Sequence, residues 1–247
     1  MGPVGERVIG VRKASRAIAA VAGATLLIAL VSSGRITTAE LIAYAVLVPS
    51  LLIHELAHLG AAAMLGDRSA QQRGRRAWSW RAHVDPLGTL VVPAILILAG
   101  IGFFGWARPA AVDAGQFRHP RNGRMLVALA GPTVGIALTV LAAIGFSLTD
   151  SASAAGAVPL PAETFYFLGL VNLWVALISL LPVPPLDGSV VLERVLPSSA
   201  WPRYLRIRPY LLPGAIGIVV ADLMLRLGLL SFLAAQLDSC WSRLLGA

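Results

Sequence analysis

Leu41–Leu65 reads LIAYAVLVPSLLIHELAHLGAAAML, an apolar run with two histidines and a glutamate in its second half. About 20 apolar residues in a helix cross a bilayer, so this run is long enough to span one. His54 and His58 are four positions apart, about 400° of helix rotation, which sets them one turn apart on the same face. Two imidazoles so placed can grip one zinc ion, and Glu55 beside them can take a proton from water held there. Such residues inside an apolar span are costly unless they serve a purpose. A pair of core histidines satisfied by neighbouring helices is the plainer reading. The hydrolytic zinc pattern explains all three residues at once and is preferred.

Of 247 residues, 57% are hydrophobic and 13% charged, against about 25% charged in soluble domains. Mean hydropathy is +0.78. These values predict an all-α polytopic membrane protein of about five to six transmembrane helices, forming a single integral-membrane domain over residues 1–247. The formal net charge is +8. The arginines sit in short loops between apolar runs, which suits membrane orientation and anionic lipid headgroups and gives no sign of a nucleic-acid partner. A single cysteine, Cys240, excludes an intrachain disulfide and a Cys-ligated metal site. Arg7, Arg12, Lys13 and Arg16 precede the apolar run Ala17–Val31. Ser32-Ser33-Gly34 is a weak cleavage cue, so an uncleaved N-terminal span over 17–33 is expected rather than a signal peptide.

Further apolar runs are Val84–Trp106, Met125–Leu148, Thr164–Leu181 and Tyr210–Leu237, the last of these a C-terminal span holding Asp222 and Arg226 four residues apart and able to pair. Topology turns on Val84–Trp106, which prolines and glycines interrupt. If it crosses fully, the basic stretches Arg108–Arg124 and Arg194–Arg208 face outward and the Lys/Arg-free loop Thr149–Glu163 faces inward, against the positive-inside rule. If it dips in and returns, the N-terminus and the basic stretches all face the cytoplasm. A re-entrant or irregular segment near 84–112 with five full spans is therefore expected, a sixth kinked span being the alternative.

A catalytic zinc site takes three protein ligands and leaves one position open. Asp187 is the candidate for the third: it follows Pro182, Pro184 and Pro185, which cannot continue a helix, and Gly188 permits an unusual backbone angle. Alternatively, Asp187 caps a helix that starts near Ser189. His83 and Asp85 read as a surface histidine and a helix-start aspartate rather than as extra ligands, and His119 as solvated.

His54-Glu55-Leu56-Ala57-His58 with Leu186-Asp187-Gly188 resembles the site-2 protease family of intramembrane zinc metalloproteases. Ala130-Gly131-Pro132 resembles its Ala-Gly-Pro helix start. Gly66-Asp67, Gly74-Arg75, His83-Val84-Asp85-Pro86-Leu87-Gly88 and Gly105-Trp106-Ala107-Arg108-Pro109 resemble a compact bacterial branch without PDZ or CBS domains. The likeness covers roughly residues 41–195, the expected catalytic core. It implies His54, His58 and Asp187 as ligands of one Zn2+ per chain and Glu55 as general base, within the bacterial cytoplasmic membrane near its inner face. Ser179 and Gly135 stand where the family often has Asn, with Asn172 upstream. Ser179, Asn172, Pro182, Gly131 and Pro132 are the candidate substrate-binding residues.

The expected activity is hydrolysis of peptide bonds in membrane-spanning or membrane-anchored proteins. A helical substrate must unwind first, because a helix engages its own carbonyls, and the irregular segments Val84–Trp106 and Trp106–Val112 could receive it by strand addition. The rival is an inactive membrane pseudo-protease acting as a scaffold, which Ser179 and Gly135 motivate and Glu55 argues against. A small transporter is a third option, and small residues on several spans leave the oligomeric state open.

Overall fold

The structure, a computed structural model, describes residues 34, 36–69, 78–98, 102–110, 112–150 and 159–246. Among these every regular element is a helix and none is a strand. In chain order they are α1 (Thr38–Met64), α2 (Trp80–His83), a π-helical turn (Pro86–Val91) running into α3 (Val92–Leu98), α4 (Pro120–Asp150), α5 (Leu160–Ser179), α6 (Asp187–Val195), α7 (Trp201–Leu225) and α8 (Leu229–Leu245). Contacts group residues 1–41 as one unit and 42–247 as another. Within the first, Thr37 and Glu40 form a capping box: Glu40 N–H donates to Thr37 Oγ1 at 3.2 Å and Thr37 N–H to Glu40 Oε2 at 2.7 Å. The expected N-terminal span over 17–33 lies outside the described residues.

Among the described residues, three helices, α1, α4 and α5, are long and apolar enough to cross a membrane. The other expected runs take different forms. The stretch 86–98 is too short to cross as a helix, about 20 Å at 1.5 Å per residue. The run Tyr210–Leu237 is divided between α7 and α8 by Arg226 (φ 52°) and Gly228 (φ 75°), both left-handed. Asp222 does not serve as a partner for Arg226 along one face. Its carboxylate accepts the N–H groups of Leu229 and Leu230 at 2.7 and 3.0 Å, satisfying the exposed start of α8.

The second unit is built around contacts of α1, α4 and α5. Ala43, Val46, Leu47 and Leu51 of α1 pack with Val171 of α5 and Ile97 of α3. Inside this apolar contact Asn172 Nδ2 donates to Ser50 Oγ at 3.0 Å, a polar pin between α5 and α1. Small residues let α4 and α5 approach closely: Gly145 faces the Phe165 ring, and Gly135 faces Ala176 and the Asn172 carbonyl. Trp241 of α8 lies against Gly169 and donates its indole N–H to the Tyr166 carbonyl at 3.0 Å. On α4, Ile136, Val140, Ile144 and Leu148 recur every four residues on an exposed face, as suits a helix whose solvent is hydrocarbon.

The segment from His83 to Arg108 leaves and returns to the same place. Trp106 N–H donates to the Gly88 carbonyl at 3.0 Å, and Arg108 N–H to the His83 carbonyl at 2.7 Å. Asp85 caps the π turn through the N–H groups of Leu87 and Gly88, and Thr89 Oγ1 donates to the Trp106 carbonyl at 2.9 Å. Gly88 is required, since a Cβ there would overlap the Trp106 ring. The far side of the extended stretch is tied down by Asp67, whose Oδ2 accepts the Asp113 N–H at 2.9 Å.

Replacing Asn172 with Ala leaves the buried Ser50 hydroxyl without its partner across the α1–α5 contact. The expected cost is about 1–3 kcal/mol of stability, read as a lowered midpoint of thermal unfolding in detergent.

Candidate metal centre

Helix α1 presents His54 and His58 on one face, as their four-residue spacing requires, with the rings 4.8 Å apart and nearly perpendicular. His58 Nδ1–H donates to the Val127 carbonyl of α4 at 2.7 Å. A carbonyl can only accept, so this bond fixes the tautomer and leaves the Nε2 lone pair free on the opposite side. His54 packs its ring against Gly131, where a Cβ would sit 2.5 Å from Nε2. His54 Nδ1 is buried without a hydrogen-bond partner among the described residues.

Asp187 arrives from the other half of the chain. Pro182, Pro184 and Pro185 end α5, and α6 begins directly at Asp187. A Cβ on Gly188 would overlap the Leu180 carbonyl, so glycine lets the first turn of α6 press against the end of α5. The expected unusual backbone angle is absent: Gly188 is helical and buried, and close approach is its role. Nor does the Asp187 side chain cap α6, whose N-cap is Leu186. Its Oδ2 lies 3.1 Å from His54 Nε2 and 3.4 Å from His58 Nε2.

These three ligand atoms lie within 4.8 Å of one another. Tetrahedral ligands about 2.0–2.1 Å from zinc lie roughly 3.3 Å apart, the separations that Asp187 makes with both imidazoles. Two imidazoles and one carboxylate form a donor set that zinc takes in catalytic sites, with one position left for water. The residues fit the ion.

Glu55 projects from α1 beside the triad, and one of its carboxylate oxygens, Oε1, accepts the Ala110 N–H at 2.5 Å. His54, Glu55, His58 and Asp187 line a cavity of about 310 Å³ together with Ser179, Leu186 and the extended stretch 103–107 and Pro109. Of the candidate substrate-binding residues, Ser179 lines this cavity while its hydroxyl donates to the Ala176 carbonyl at 3.0 Å. Asn172 is in the α1–α5 contact, Gly131 and Pro132 are buried on α4 behind His54, and Pro182 is exposed outside the cavity lining. His83 is buried rather than on the surface, its Nδ1 bonded to the Arg108 carbonyl at 3.1 Å. His119 is exposed.

The chain is 38% identical over 157 residues to "Putative zinc metalloprotease YwhC" of Bacillus subtilis, a match covering 61% of this chain and 67% of that protein. It belongs to the zinc metalloprotease family of YwhC. It is also 34% identical over 148 residues to "Putative zinc metalloprotease Rip2" of Mycobacterium tuberculosis, covering 58% of this chain and 53% of that one. Rip2 of Mycolicibacterium smegmatis is 31% identical over 150 residues, with the same coverage of 58% and 53%. The chain thus spans about two thirds of YwhC and about half of Rip2. No family model and no solved structure matches it.

The Val127 carbonyl, the Ala110 N–H and the Gly131 contact carry no side-chain signature. Only Ala130-Gly131-Pro132 pointed to this part of α4, and it lies inside the helix, which starts at Pro120, rather than at a helix start.

Gly131→Ala drives a methyl group into the His54 ring and is expected to weaken zinc binding about 10–100-fold, as loss of an orienting contact does. Gly135→Ala, whose Cβ meets Ala176 at 3.3 Å, is expected to leave zinc binding unchanged. Zinc affinity by competition with a chelator checks both.

Proposed function

We propose that this protein is an intramembrane zinc endopeptidase of the site-2 protease kind, hydrolysing peptide bonds in membrane-spanning or membrane-anchored proteins. The observation that carries this is the convergence of His54, His58 and Asp187, with Glu55 beside them, in a cavity bordered by helices of membrane-spanning length. His54 Nε2, His58 Nε2 and an Asp187 oxygen would hold the ion. When bound, zinc supplies Lewis-acid polarisation of a carbonyl and lowers the pKa of a coordinated water. Glu55 accepts the proton of the attacking water and returns it to the leaving amine. The His58–Val127 bond and the Gly131 contact hold the two imidazoles in orientation.

The substrate enters as an extended strand. In the stretch 105–109, Trp106 and Arg108 use their backbone groups on the 83–89 side. Gly105, Ala107 and Pro109 make no hydrogen bonds among the described residues, and all three line the cavity. Alternate residues of an extended chain share an edge, so their carbonyls and two N–H groups form a free edge for a peptide unwound from its helix. Ser179 borders the same cavity and meets the substrate there.

The re-entrant topology is supported by the Trp106–Gly88 and Arg108–His83 bonds, which return the chain to its point of departure. Arg194 Nε donates to Asn122 Oδ1 at 2.6 Å, so the basic stretches Arg108–Arg124 and Arg194–Arg208 share one end of the bundle. By the positive-inside rule that end is cytoplasmic, as is the N-terminus. His54 and His58 lie six to ten residues from the C-terminal end of α1, roughly 9–15 Å below that face. The lipid around α4 and α5 is that of a bacterial cytoplasmic membrane.

Purified protein in detergent is expected to carry one zinc per chain and to cleave a single-span model substrate. Glu55→Gln should abolish cleavage and keep the zinc, whereas Asp187→Ala should lose the zinc. Stoichiometric zinc with no cleavage of several substrates would favour a scaffold, and absence of zinc from folded protein would remove the metal site altogether.

A further inference from the structure

Three N–H groups of the extended stretch, at Trp106, Arg108 and Ala110, alternate along the chain and therefore share one edge. Two of them go to the backbone carbonyls of Gly88 and His83. The third goes to the Glu55 carboxylate. The N–H two residues beyond these backbone pairs is thus taken by a side-chain carboxylate.

We propose that the Ala110 N–H is a positioning group for Glu55, fixing one carboxylate oxygen so that the other is presented to water beside His54, His58 and Asp187. The proposal rests on Glu55 being the general base, as argued above. A glutamate turns about three side-chain bonds, and an unheld carboxylate spends much of its time out of line with the proton it must take. The donor is itself rigidly held. Pro109 fixes its own φ immediately before Ala110, the Arg108 and Trp106 bonds anchor the chain upstream, and Asp67 accepts the Asp113 N–H downstream. One short stretch therefore offers its outer edge, residues 105, 107 and 109, to the substrate and its inner edge to the base.

The test is Ala110→Pro, which deletes the donor, beside Ala110→Gly, which keeps it. Both are expected to bind zinc as the native chain does. Ala110→Gly should retain kcat within about twofold, and Ala110→Pro should lose about 100-fold in kcat with KM within about twofold. A proline variant that folds and turns over at the native kcat overturns the proposal. Amide hydrogen exchange of the full chain keeps it falsifiable if Ala110→Pro does not fold. In Glu55→Ala the Ala110 amide should exchange at least about tenfold faster, with the Trp106 and Arg108 amides unchanged. Equal exchange at Ala110 in the two proteins overturns the proposal. A native chain that binds zinc but cleaves nothing removes the protease function, and the role of Ala110 with it, even where exchange upholds the bond.

Discussion

The Asp187 carboxylate lies between two imidazoles that are more than 120 residues away in the chain, and the close approach of α6 to the end of α5 makes this juxtaposition possible. A residue with a side chain at position 188 would collide with the Leu180 carbonyl and move the first turn of α6 away. The prolines before it stop α5 from continuing as a helix. Remove either condition and α1 carries two histidines with no third donor. A carboxylate facing two imidazole nitrogens is a site whose polar groups satisfy one another only in part, and its donor set is one that a divalent cation would complete.

The rest of the bundle orients the pieces of this site in an apolar surrounding. α4 supplies the Val127 carbonyl to His58 and a bare glycine surface to His54, while α5 is locked to α1 by the Asn172–Ser50 bond. Small residues at the α4–α5 contact substitute close backbone approach for the hydrophobic drive that hydrocarbon surroundings lack. Outward faces of α4 are correspondingly apolar and exposed. The Asn172–Ser50 and His58–Val127 bonds both lie where helices meet, while exposed hydroxyls such as Thr133 and Ser147 bond to carbonyls of their own helix.

Non-helical backbone beside such helices needs partners, and the described part of residues 83–113 obtains them from a few side chains and two backbone carbonyls. Asp85 and Thr89 satisfy the π turn, His83 and Gly88 satisfy Trp106 and Arg108, Glu55 takes Ala110, and Asp67 takes Asp113. Asp67 and Asp85 are structural acceptors here. In the same way Asp222 serves the start of α8. The irregular stretch becomes a wall of the cavity, with one backbone edge committed to the protein and the other making no hydrogen bonds among the described residues.

How much was legible from residues alone follows the range of the interactions. Periodicity and hydropathy are local, so the helical class, the three long apolar helices and the shared face of His54 and His58 could be read directly. The prolines before Asp187 marked a helix break for the same reason. Hydropathy could not say that Tyr210–Leu237 divides at Arg226, because left-handed residues at a helix end leave the apolar average unchanged. Sequence left Asp187 open between ligand and cap, since both roles are written with the same residue. Only the tertiary structure brought it to the imidazoles and put Asn172 in a helix contact rather than in the cavity. It alone showed the Val127 carbonyl and the Ala110 N–H at the site. Every residue but proline carries those backbone groups, so no sequence pattern distinguishes the ones that the fold brings to the candidate metal centre.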